Sequence, residues 1–156
     1  GYPEKGGDEY PNKEMWEHSK TQKVTHRGSW PGNDTIWRMV SDLYTGMKRK
    51  ERKYFSIIDG VIAGEGKGPF CPDLKESKAL IGGHDLLITD IVATRAMGLD
   101  PMKIEYLRHF IQKYDITLKN INVKSDFLET DDFFDSEDIY LGFNTMEDWD
   151  CIRIGS

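Results

Sequence analysis

Residues 78–101 read KALIGGHDLLITDIVATRAMGLDP, and the change of period inside this stretch decides the fold. KALIGG is a short β-rich run closed by Gly82 and Gly83, the pattern of a buried strand. HDLLITDIVATRAMG then takes helical spacing, with Asp85 placed as N-cap and Gly98 as the C-terminal stop. Asp100 and Pro101 form an N-cap and first-turn pair for the next helix, PMKIEYLRHFIQKY, whose Ile104, Leu107, Ile111 and Tyr114 make an apolar face.

Working outward, YFSIIDG (residues 54–60) is a second β-rich run, and it ends in the glycine-rich stretch DGVIAGEGKGP (residues 59–69). Upstream, NDTIWRMVSDLYTGMK sets Ile36, Trp37, Val40, Leu43, Tyr44 and Met47 on one helical face. Asn33 or Asp34 serves as its N-cap, and Gly46 weakens its last turn. INVKSD (residues 121–126) is a last candidate strand. The expected fold is α/β, a mixed sheet with flanking helices in a single compact domain. An irregular arm (1–25), rich in Gly, Pro and charge, precedes the domain (26–126), and an acidic aromatic segment (127–156) follows it.

The chain has 156 residues, 38% hydrophobic and 31% charged, and a net charge of −6. That length can bury a core of its own. The charge is segregated: KRKERK (48–53) holds five basic side chains, whereas residues 126–150 hold ten carboxylates and no Lys or Arg. An acidic chain is a poor nucleic-acid binder, so the basic run reads as a solvated turn and no nucleic-acid partner is expected. The aromatics of the acidic segment, Phe133, Phe134, Tyr140, Phe143 and Trp149, can pack back on the domain or engage a partner, and packing is the expectation taken here.

Two cysteines, Cys71 and Cys151, without a CxxC pair exclude a cysteine-ligated iron–sulfur cluster or a four-cysteine zinc site within this chain. They also give no support for a disulfide scaffold. No apolar run approaches a membrane span, so no membrane partner is expected. A reducing, cytoplasmic setting is the default. Gly1 stands where a start methionine would be, which fits a processed or partial chain and leaves any targeting segment open.

The polar residues of interest fall at element ends, where α/β proteins tend to build sites. Asp59, Glu65 and Asp85 could supply oxygens to a hard divalent cation such as Mg²⁺. His84 and Asp90 are then the candidates for a general base. Asp85 and Asp90 lie about 140° apart around an ideal helix, so only the loops could make them converge. The alternative is that Asp59 caps a turn, Asp85 caps a helix and Glu65 faces solvent. The backbone at Gly64, Glu65, Gly66 and Gly68 could cradle an anion, although GEGKGP is neither the Walker pattern nor the dinucleotide fingerprint. A tight bend explains the same glycines without a ligand. His26 and Arg27, with Trp30 close by, could bind a carboxylate or phosphate, or belong to an ordinary loop before a helix. Cys71 has no histidine near in sequence to activate it as a nucleophile, and His109 falls on a helix surface.

The motifs in order, HRGSWPGNDTIWRMVSDL, SIIDGVIAGEGKGP and LIGGHDLLITDIVATRAMGLDP, resemble the C-terminal half of domain-of-unknown-function family 362 over about residues 22–126. That family occurs in bacteria and archaea, sometimes fused to ferredoxin-like iron–sulfur modules. The resemblance implies a mixed α/β domain, with Asp59, Gly60, Gly64, Glu65, Gly66, Gly68 and Pro69 matching the family's glycine loop. Asp85, Asp90, Gly98 and Pro101 match its later motif. It names no reaction. Leu86 stands where the family usually has proline, the family's N-terminal half has no counterpart here, and any redox role would need an external partner.

Three functional expectations follow. The first is a domain that binds a small anionic ligand, with or without a divalent cation, at the glycine-rich loops. The second is a non-catalytic interaction module, or a fragment of a larger protein, docking a protein partner or its missing half on an exposed sheet edge or on the aromatic and acidic C-terminal segment. A third, an accessory domain of an iron–sulfur redox system, rests on the resemblance alone.

Overall fold

The computed structural model describes residues 35–50, 52–67, 71–128, 130–136 and 140–155. The chain separates into two compact units, Gly1–Arg52 and Lys53–Ser156. The expected caps Asn33 and Asp34 lie outside the described residues.

In the first unit the described element is α1 (Thr35–Lys48). Its last turn carries Lys48, favourable at the negative end of the helix dipole. Ser41 Oγ donates back to the Trp37 carbonyl at 2.9 Å, so this hydroxyl meets its demand within the helix. Tyr44 and Ser41 are buried, while Leu43 is 60% exposed and Val40 is also open. The apolar stripe is therefore covered only in part.

In the second unit β1 (Ser56–Gly60) pairs antiparallel with β4 (Ala79–Gly83), with Ser56 opposite Gly83 and Gly60 opposite Ala79. Between them in sequence a smaller antiparallel hairpin forms, β2 (Ala63–Glu65) with β3 (Asp73–Lys75). The protein is thus mixed α/β, as the alternation of periods predicts, and among the described residues the strands form two two-stranded sheets. Burial alternates along β1 and β4: Ser56, Ile58, Ile81 and Gly83 are half-buried, whereas Ile57, Asp59, Leu80 and Gly82 are exposed.

α2 (Leu86–Met97) begins and ends where its sequence says it should. Asp85 Oδ1 accepts from the N–H groups of Leu87 (2.9 Å) and Ile88 (3.3 Å). Gly98 takes φ 91° and closes the helix, with the Leu99 N–H on the Thr94 carbonyl. The helix is tied to β1 through Thr89, whose hydroxyl accepts from Ser56 Oγ at 2.8 Å and donates to the Asp85 carbonyl at 2.8 Å. Ile91, Leu107 and Phe110 are the most deeply buried large side chains and form the centre of the core.

The following helix departs from expectation at its start. Asp100 does act as a cap, accepting from the Met102 N–H at 2.8 Å, but what it caps is a 3₁₀ turn, Pro101–Lys103. Ile104 then adopts extended backbone (φ −96°, ψ 118°), and α3 (Glu105–Lys113) begins after it. Leu107, Phe110 and Ile111 form its buried side, and Tyr114 lies beyond its end and is exposed. Residues 121–126 are not a strand. Their half-buried Ile121 and Val123 keep a period of two, but no described strand runs beside them, and strand conformation depends on a ladder partner.

The acidic segment packs back on the domain. The Leu141 and Phe143 N–H groups donate to the carbonyls of Ala96 and Met97, and the Ile154 N–H to that of Gly98. These are helix-end acceptors with no partner inside the helix, so a distant part of the chain satisfies them. Phe133 and Phe143 are buried. The Arg95 guanidinium, itself 2% exposed, lies 5.6 Å from the Phe133 ring and 4.9 Å from that of Tyr140, and it donates to the Ser136 carbonyl.

Candidate functional site

Of the glycine-rich stretch, Asp59 and Gly60 end β1, Val61 and Ile62 lie in the bend that follows, Ala63–Glu65 form β2, and Gly66 leads out of it. Gly64 lies in β2, where a Cβ would stand 2.8 Å from Pro72 Cβ, inside any real carbon contact. Gly66 has φ +71° and turns the chain out of the strand, while its N–H donates to the Asn144 carbonyl at 3.1 Å. One glycine answers close approach and the other a left-handed turn. Gly68 and Pro69 lie outside the described residues.

Glu65, at the end of β2, is held on three sides. Its carboxylate accepts from the Asn144 N–H at 2.8 Å and from Asn144 Nδ2 at 2.9 Å. Lys75 Nζ from β3 approaches to 3.2 Å and also donates to the Gly142 carbonyl at 2.8 Å. The Asn144 backbone hydrogen bond, with smaller help from Lys75 and the Asn144 side chain, pulls the Glu65 carboxyl below its ordinary range, against an opposing effect of desolvation. Glu65 thus neither faces solvent nor stands ready for a ligand; it fastens residues 142–144 to the hairpin.

The remaining sequence-predicted residues are placed separately. Asp59, exposed in β1, accepts from the Val61 N–H at 3.2 Å and so caps the turn after the strand. Asp85 is the N-cap of α2. The structure does not bring Asp59, Glu65 and Asp85 together, and among the described residues no group of three His, Cys, Asp or Glu side chains could hold a metal ion. His84 is exposed, with its ring 4.9 Å from that of Phe55 in an edge-on arrangement. Asp90 faces Tyr106, whose hydroxyl donates to it at 3.3 Å. Burial raises the Asp90 carboxyl above its ordinary value, only partly offset by that hydrogen bond. Burial, then the neighbouring Asp90, push the Tyr106 hydroxyl up as well. His26 and Arg27 lie outside the described residues.

What the motifs do not single out is the outward face of the β1–β4 ribbon. Phe55, Ile57 and Leu80 are 59%, 62% and 69% exposed. Ile57 stands opposite Gly82, and Leu80 opposite Asp59. Alternation puts Phe55 and Ile57 on one side of the strand, and Ile57 and Leu80 are diagonal neighbours across the ladder, close enough for large side chains to touch. The Phe55 ring lies over Gly82, its Cζ 3.2 Å from where a Cβ would be. The only sequence signal for this surface is that YFSII and KALI each hold adjacent large apolar residues, Ile57 with Ile58 and Leu80 with Ile81, which alternation sends to both faces.

Among the described residues no helix is long and apolar enough to cross a membrane. No protein-family profile, curated protein or solved structure matches the chain.

Proposed function

We propose that this chain is a non-catalytic interaction module whose docking surface is the outward face of the β1–β4 ribbon. The observation that carries this reading is the contiguous exposure of Phe55, Ile57 and Leu80 on one side of a sheet whose other side faces the core. Isolated apolar side chains are ordinary at a protein surface, but neighbouring ones on a single sheet face are the mark of a surface covered in use. The partner we infer is a protein offering a complementary apolar surface. The hydrogen bonds of Asp59, Glu65 and Asp85 favour this over ion or small-anion binding at the glycine-rich loops, because each carboxylate already has a structural task. We take the module to work in the cytoplasm, a setting that the exposed thiol of Cys71 supports.

The test is site-specific photo-crosslinking in the cells that make the protein, with the reactive group at Leu80 and, as control, at exposed Lys119. Docking predicts a discrete protein adduct from position 80 that is absent from position 119 and disappears in the Phe55→Ser, Ile57→Ser double variant. No adduct from position 80, with the protein folded, would sink the proposal. A thermal-shift titration with Mg²⁺ and inorganic phosphate tests the competing reading. A rise in melting temperature that Asp59→Asn removes would move the function back to the loops.

A further inference from the structure

We draw no further inference here: the strongest candidate beyond the sheet face already described, the open groove between Ile88 of α2 and the loop that follows α3, is lined by Tyr114, Asp115, Thr117, Asn120 and Asn122, all exposed, so nothing in the structure shows what it would hold.

Discussion

Glu65 and Asn144 are 79 positions apart in the chain and meet through both carboxylate oxygens, one on the Asn144 main-chain N–H and the other on its side-chain amide. The Gly66 N–H returns a bond to the Asn144 carbonyl. Asn144 therefore sits against the end of β2 as a third chain segment beside the hairpin, and Lys75 closes the arrangement from β3. A glycine-rich loop that resembles a ligand cradle is here occupied by the protein's own C-terminal segment.

The charge on Glu65 makes this junction sensitive to acid. Its folded-state carboxyl is depressed, so its contribution is complete above the ordinary glutamate value and is lost as pH falls through the depressed one. Glu65→Gln should lower the melting temperature at neutral pH, and the gap to the wild type should close between about pH 5 and pH 3. Parallel melting curves across that window would show that the carboxylate contributes nothing. Lys75 and the Asn144 carbonyl would then have to carry the junction.

Gly64 is required by its neighbour and not by its own backbone angles. Gly64→Ala places a methyl 2.8 Å from Pro72 Cβ, and either the strand or the connection must shift. Overpacking of this kind costs about 1–3 kcal/mol. Pro72→Gly removes the obstructing atoms, so the double variant should recover much of that loss, a coupling that a thermodynamic cycle detects. Strict additivity of the two changes would place the cost elsewhere.

Local chemistry made α2 legible in the sequence: Asp85 and Gly98 mark its ends through bonds to residues within a few positions of themselves. β1 and β4 could be recognised as β-rich runs for the same reason. Glu65 could be singled out, but its task could not, because its partner Asn144 lies in an acidic stretch with no signal pointing back to the hairpin. The packing of residues 141–154 on α2 is less legible still. Its main-chain N–H groups bond to main-chain carbonyls, and such contacts are independent of side-chain identity. INVKSD shows the converse, a local alternation that no neighbouring described strand converts into a ladder.

Asp90 should be a stability cost at neutral pH. Its folded-state value is raised, so the stability it contributes is greatest below the ordinary aspartate range and is lost as pH rises through the raised value. Asp90→Asn keeps an acceptor for the Tyr106 hydroxyl and removes the charge. We expect a melting temperature at pH 7 higher by about 1–3 °C, allowing for the solvent exposure that remains, and a difference that shrinks toward pH 4. A lower melting temperature at pH 7 would mean that the ionised carboxylate is favourably paired there.

The segment beyond residue 126 is part of the fold, so removing it should do more than remove a surface. Burying a Phe contributes about 1.5–3 kcal/mol, and both Phe133 and Phe143 are buried. Against a total stability of about 5–15 kcal/mol, the loss of two such side chains together with the helix-end bonds is a large fraction. A chain ending at Asp126 should therefore melt broadly or at a much lower temperature. Arg95→Met should reproduce part of the effect, at about 2 kcal/mol, by removing the guanidinium from the Phe133 and Tyr140 rings and from the Ser136 carbonyl. Phe127→Ser is the control, because Phe127 is 92% exposed and its loss should leave the melting temperature unchanged. Circular dichroism melts of the four chains decide the matter. If the truncated chain unfolded cooperatively at the wild-type temperature, the segment would be a passenger, and the bonds of Leu141, Phe143 and Ile154 to the end of α2 would contribute nothing to stability.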